Sequence, residues 1–332
     1  MTEDLPRSAR GPVPRLIAHR GSPLHYPENS VAGIEAALAT GAAAFECDVQ
    51  LSADRQPVII HDADLQRTAG VAGDVRDMTA AELARVEVNE TARLGPRFHG
   101  THIPHLREIV AIARTHPAVT FFLDVKRASL RRFGNDAVLD AILAKMGTHS
   151  TSWVIVSFDR TLVERSRSRG VAHVGWVVDS WNDVAQGALH ALAPDYVFCA
   201  AQNVPAVVPL PAGRWKWVIY DVNEPAAALD YGRRGAEFVE RNAGVAVAAT
   251  APDVVAFMHD ERLVVTLDVG GHAARALVYD TTGAVLARAE RSVFARCEGD
   301  RVEHDADALA VAVQAVLDEA CAQLASGTGR IS

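Results

Sequence analysis

Eight short apolar runs alternate with Ala-rich amphipathic segments between residues 16 and 240, and this rhythm limits the possible folds more than any other feature of the chain. The runs are Leu16–His19, Ala44–Gln50, Thr120–Lys126, Trp153–Phe158, Val171–Val178, Tyr196–Cys199, Trp217–Asp221 and Glu237–Glu240. Between most of them lie segments with helical periodicity: Val31–Thr40, Leu106–Arg114, Ala137–Met146, Thr161–Arg169 and Pro225–Arg234. Strands that alternate with helices build parallel sheets, and eight such units point most economically to an α/β fold of the TIM (β/α)8 barrel type. An open, doubly wound sheet satisfies the same periodicity.

Two stretches break the rhythm. Leu51 to Ile60 reads as a short hairpin around Ala53-Asp54-Arg55, followed by a Gly-rich loop from Ala69 to Asp74. This is expected to be a small insertion after the second strand, at the top of the barrel. After about residue 260, Arg262–Asp268, Ala274–Asp280 and Val285–Ser292 read as strands joined by tight turns, and a helix follows over roughly Asp307–Leu324. The expected organisation is a flexible lead at 1–14, a barrel at 15–258 and an antiparallel meander with one helix at 262–332, the boundary falling near His259–Arg262.

Composition narrows the function. At 332 residues with 49% hydrophobic and 22% charged side chains, the chain is of ordinary globular make-up. A net charge of −8 argues against a nucleic-acid-binding surface. No run approaches the roughly 20 apolar residues of a membrane span, and the N-terminus lacks the apolar core of a secretory signal. Cys47, Cys199, Cys297 and Cys321 are scattered without a C-x-x-C pair, which fits reduced thiols and a cytoplasmic location.

The chemistry is concentrated where the strands end. Glu46 and Asp48 are two residues apart on one run, so both point to one face while Phe45, Cys47 and Val49 point to the other. Helices would cover the apolar face, which turns the acids inward. Two close inward carboxylates repel unless a proton or a cation lies between them, and oxygen ligands suit Mg²⁺ or Ca²⁺. An ion pair with a base from a neighbouring strand would also satisfy them. Asp124 and Lys126 share a face at the end of another run, where a third carboxylate would complete a metal site and the cation could meet a phosphate. His19 and His61 each end a strand-like run, and two imidazoles suit acid and base roles near neutral pH. Arg20 is a permanently charged planar clamp for an oxyanion, and Gly21 lets the loop approach a ligand.

In order and spacing, these elements resemble the glycerophosphodiester phosphodiesterase family over about residues 15–250. The match runs through His19-Arg20-Gly21, Pro27-Glu28-Asn29-Ser30, Glu46-Cys47-Asp48, His61-Asp62, Leu65-Gln66-Arg67-Thr68, Ile103-Pro104-His105-Leu106 and Leu123-Asp124-Val125-Lys126. The resemblance implies a TIM barrel that hydrolyses glycerophosphodiesters to sn-glycerol 3-phosphate and an alcohol with one divalent ion, Mg²⁺ or Ca²⁺. It implies His19 and His61 as the acid/base pair, Glu46, Asp48 and Asp124 as metal ligands, and Arg20 and Lys126 on the substrate phosphate. The family usually carries Glu at the place of Asp124, and Arg241-Asn242 replaces a Thr-Asp in the last strand. The segment from Leu267 to Asp280, with Val302-Glu303-His304-Asp305, resembles the start of a carbohydrate kinase of the glycerol/xylulose kinase type. A bifunctional phosphodiesterase and kinase is therefore an alternative, and a phospholipase-type phosphodiesterase another. The expected partner is a small glycerophosphodiester.

Overall fold

The computed structural model describes residues 14–39, 41–146, 152–185, 187–206 and 209–241. Beyond these it describes 254–257, 263–269, 273–280, 285–292, 295–298, 301–304, 311–313, 315–320 and 323. Apart from Pro14, the expected flexible lead lies outside the described residues. By its internal contacts the chain separates into two units, one running from Pro14 to Asn223 and taking up again at Arg234, the other made of Glu224–Arg233 and the C-terminal region.

The first unit is built on β1 (Arg15–His19), β2 (Ala44–Leu51), β3 (Pro57–Ile59), β4 (Thr120–Val125), β5 (Trp153–Ser157), β6 (His173–Val177), β7 (Tyr196–Ala200), β8 (Lys216–Tyr220) and β9 (Ala236–Arg241). The strand order is β1-β9-β8-β7-β6-β5-β4-β2, and β1 pairs with β2 to close the ring. Ile17 lies opposite Ala44 and His19 opposite Glu46 in that closing parallel pair. The eight parallel strands form a TIM barrel, as expected, and the closure rules out an open sheet.

Alternation along each strand sorts side chains between the barrel interior and the helical layer. Ile17, Phe122, Val154, Val218 and Phe238 turn inward into one buried cluster. Phe122 sits at its centre, edge-on to Tyr196, Phe198 and Phe238 with ring centroids 5.0, 5.3 and 6.0 Å away. Such contacts each add about 0.5–1.5 kcal/mol beyond the burial itself. The opposite face of β2, with Phe45 and Cys47, is fully buried. Helix Leu106–Thr115 buries Leu106, Ile109, Val110 and Ala113, an i, i+3, i+4, i+7 stripe, and is capped where the His105 backbone N–H donates to Glu108 Oε1 at 2.8 Å.

The upper end of β2 outruns the barrel and pairs antiparallel with β3, Val49 opposite Ile59 and Leu51 opposite Pro57. The hairpin therefore starts earlier than the sequence suggested, because one strand serves both barrel and hairpin. Short helices at Gln66–Ala69, Ala80–Leu83 and Thr91–Leu94 follow, around a small core of Val58, Ile60, Leu65, Val75, Leu83 and Ile103. This is the insertion expected after the second strand.

In the second unit, β10 (Val254–Phe257), β11 (Leu263–Val269), β12 (Ala273–Asp280) and β13 (Val285–Ser292) form an antiparallel sheet in that order. β10, which the sequence did not reveal as a strand, pairs Val254 with Leu267. A separate hairpin pairs β14 (Ala295–Glu298) with β15 (Arg301–His304). Ala274, Ala276 and Val278 share one face of β12 and pack with Ala287, Ala289 and the helical residues Val316 and Ala320. Small side chains at period 2 meet apolar ones four apart on a helix, the pattern a sheet-on-helix layer requires.

Candidate active site

The chain leaves β1 through a loop that only particular residues can follow. Arg20 and Asn29 hold positive φ values of 49° and 57°, and Gly21 lies at 88°. A Cβ on Gly21 would come within 2.7 Å of the Gly33 carbonyl carbon, so glycine alone fits between this loop and helix Val31–Ala39. Asn29 N–H donates to Arg20 O at 3.0 Å, and the Asn29 amide then grips Asp48 twice. Its Nδ2 donates to Asp48 Oδ2 at 2.7 Å, and its Oδ1 accepts from the Asp48 backbone N–H at 3.1 Å. Strained, non-glycine positive-φ residues cluster where geometry matters more than stability.

Four carboxylates point into the barrel mouth: Glu46, Asp48, Asp124 and Glu240 are 4%, 1%, 7% and 4% exposed. Register sets them side by side, with Asp48 opposite Asp124 and Ile17 opposite Glu240. Lys126 Nζ spans two of them, 2.5 Å from Asp48 Oδ1 and 2.6 Å from Asp124 Oδ2. Arg20 Nε lies 3.1 Å from Asp48 Oδ2, its Nη1 is 3.3 Å from Glu28 Oε2, and its backbone N–H donates to Glu46 Oε2 at 3.3 Å. His19 Nε2 stands 3.8 Å from the same Glu46 oxygen.

These neighbours divide the acids electrostatically. Burial alone would raise the Asp48 carboxyl, but Lys126 and Arg20 outweigh it and hold Asp48 far below the usual carboxylate range. Burial likewise acts to discharge Lys126, and Asp124 with Asp48 keeps it charged. Glu46 goes the other way, pushed well up by burial and then by Asp48 and Glu240. Glu240 is pushed up to about 8, by burial first, with Asp48 and Asp124 adding to it against Arg20. Oxygens of Glu46, Asp48 and Asp124 lie within 4.8 Å of one another, and Asp124 Oδ1 is buried without a hydrogen-bond partner. A divalent ion fits this all-oxygen set.

His61 follows β3 and is held from both sides. Gln50 Nε2 donates to its carbonyl at 2.9 Å, and its Nδ1 lies 2.6 Å from Asp62 Oδ1. Arg67 then donates through Nε to Asp62 at 2.5 Å and through both terminal nitrogens to Glu28 at 2.8 and 2.7 Å. Because Glu28 also meets Arg20, one guanidinium of the insertion joins the surroundings of His61 to those of Arg20.

All seven residues singled out in the sequence, His19, Arg20, Glu46, Asp48, His61, Asp124 and Lys126, line one pocket. Val156, Phe158, Val177 and Phe198 line the opposite side, and Tyr220, Asp221 and Glu240 complete the ring. Sequence reading gave Glu240 no role, and it quoted Glu28, Asp62 and Arg67 only within the resemblance, without the ion-pair chain that joins them. A signal for Glu240 existed: it shares a strand face with the inward Phe238 at a C-terminal strand end.

A closed parallel barrel with ionisable groups at the C-terminal ends of its strands is the architecture of the TIM-barrel enzymes. Within it, residues 19–128 match the model of the glycerophosphoryl diester phosphodiesterase family. Glycerophosphodiester phosphodiesterase 1 of Bos taurus is 39% identical over 110 residues, 33% of this chain and 33% of that protein. The glycerophosphodiester phosphodiesterase of Caldanaerobacter subterraneus is 38% identical over 94 residues, 28% of this chain and 38% of that one. A Bacillus subtilis relative is 32% identical over 152 residues, 46% of this chain and 60% of its own length. The chain thus spans 60% or less of these relatives. Among solved structures, an Oleispira antarctica phosphodiesterase in complex with the product sn-glycerol-3-phosphate matches with a TM-score of 0.61 at 22% identity, covering 70% of this chain and 94% of that one. At that identity the likeness shows the fold. Among the described residues, no helix is long and apolar enough to cross a membrane.

Proposed function

We propose that the chain is a glycerophosphodiester phosphodiesterase, releasing sn-glycerol 3-phosphate and an alcohol with the help of one divalent ion. The observation that carries this reading is the convergence on one pocket of two imidazoles, three carboxylates within ligand distance of one another, and two bases. Glu46, Asp48 and Asp124 would hold the ion, Mg²⁺ or Ca²⁺ by the hardness of its oxygen donors. Bound there, it would neutralise the diester and lower the cost of the developing charge.

The protein's own groups do the rest. Arg20 and Lys126 bind the phosphate oxygens, Lys126 from its seat between Asp48 and Asp124. One of the two imidazoles accepts a proton from the attacking water while the other protonates the alkoxide as its P–O bond breaks. Where the substrate's own glycerol hydroxyl attacks first, the cyclic phosphate it forms is then opened by water with the two proton roles exchanged, giving the same product. Asp62 orients His61 by its short contact with Nδ1, leaving Nε2 for the proton. The match to the family model and the named relatives support this activity, and the product held by the Oleispira enzyme, sn-glycerol-3-phosphate, supports the substrate class.

Release of sn-glycerol 3-phosphate from glycerophosphocholine, followed in a coupled assay, tests the reading. Activity is expected to vanish with EDTA and return with Mg²⁺ or Ca²⁺. Full turnover in excess chelator would overturn the metal assignment.

A further inference from the structure

One group in the pocket is left over by this mechanism. Glu240 is buried, its Oε1 makes no hydrogen bond, and it lines the same pocket as His19 and Glu46. A carboxylate oxygen buried without a partner is costly, and proteins keep one where something else satisfies it. Lys126 already bridges Asp48 and Asp124, whereas Glu240 faces the side of the mouth where β1 closes against β9. Five carboxylates and two permanently charged bases line the pocket, so with every acid ionised a single divalent ion leaves negative charge over, which a second cation would offset.

The geometry there is that of a ligand set. One atom each from His19, Glu46 and Glu240 lies within 4.8 Å of the others, on three adjacent strands, β9, β1 and β2. We propose that His19, Glu46 and Glu240 form a second divalent-cation position that shares Glu46 with the Glu46–Asp48–Asp124 set and inhibits the enzyme when filled. The imidazole makes this position softer than its all-oxygen neighbour, which favours Zn²⁺ or Mn²⁺ over Ca²⁺. A ligating imidazole commits its lone pair to the ion and can no longer accept a proton. Filling the position therefore takes His19 out of the acid/base pair. The inhibitory part rests on the proton-transfer role proposed for His19, while the binding part does not.

Mn²⁺ binding to the metal-free full chain, counted by electron paramagnetic resonance of the free ion, reads the position without any substrate. Two ions are expected for the wild-type chain and one for Glu240→Gln. His19→Asn, which alters the set from another strand, should also bind one, so a fold defect peculiar to either variant does not decide the outcome. Asp124→Asn should lose the other ion and retain this one. In the assay with Mg²⁺ held constant, Zn²⁺ should inhibit the wild-type chain. The Zn²⁺ concentration for half-inhibition, relative to each protein's own uninhibited rate, should rise at least about tenfold in Glu240→Gln. One ion in the wild-type chain at saturation, or two in Glu240→Gln, would overturn the site. Two ions in the wild-type chain, with no phosphodiesterase activity under any condition, would uphold the site and sink the proposed function instead.

Discussion

The two halves of the barrel mouth are made differently. On the side of β1, β2 and β4, the strand ends carry His19, Arg20, Glu46, Asp48, Asp124 and Lys126, knitted by contacts of 2.5 to 3.8 Å. On the side of β5 to β7, the corresponding positions are Val156, Phe158, Val177 and Phe198. The same parallel strands build both halves, so apart from the insertion after β2 the difference lies in which residues occupy the inward places. It teaches that the charged half faces an apolar wall, which lowers the local dielectric and strengthens each electrostatic contact. The floor beneath both is the aromatic cluster around Phe122.

If the charged half does the chemistry, removing an imidazole there has the largest effect. His19→Ala and His61→Ala are each expected to lower kcat by about 10²–10⁴-fold, the range of general acid/base catalysis, measured as sn-glycerol 3-phosphate release. A His19→Ala chain of undiminished activity would overturn its proton-transfer role. The apolar floor should answer in stability instead. Phe122→Ala is expected to lose about 3–5 kcal/mol, read as a fall in the urea midpoint.

A subtler contrast lies within the charged half. An acid whose folded pKa is raised binds protons more tightly folded than unfolded, so its contribution favours the fold at low pH and is lost as pH rises towards the folded value. Burial puts Glu46 and Glu240 in that position, Glu240 at about 8. The metal-free protein should therefore show a falling Tm from about pH 5 to 8, set by these two acids, and Mg²⁺ should remove much of the fall. Asp48 has the opposite sign: its stabilisation is present above the ordinary carboxylate range and lost below it. A Tm in EDTA that rises steadily across pH 5 to 8 would count against the assignment of Glu46 and Glu240. The smallest effect belongs to the rim, where Arg127 pairs with Asp179 at 2.6 Å in the open. Asp179→Asn should change stability by less than about 1 kcal/mol, a control for the buried pairs.

Much of the fold was legible because it rests on local pattern. Runs such as Phe121-Phe122-Leu123 announce strands, and the stripe Leu106, Ile109, Val110 and Ala113 announces a helix against them. The metal-ligand candidates were legible for the same reason, since Glu46 and Asp48 two apart, or Asp124 and Lys126 two apart, share a face by strand geometry alone. β10 escaped notice because a four-residue apolar run declares itself a strand only when a partner such as β11 lies beside it. Arg67 stood in the sequence with no visible task, and its task exists only because the insertion folds back over the first loop.

The sequence by itself determined the eight-fold alternation, the inward carboxylates and the strand-end histidines, because each depends on residues within one or two turns of chain. Only the tertiary structure decided that the sheet closes and that β9 lies against β1. Closure is a non-local pairing whose register no single segment encodes, and it brings Glu240 from the far end of the barrel to face His19.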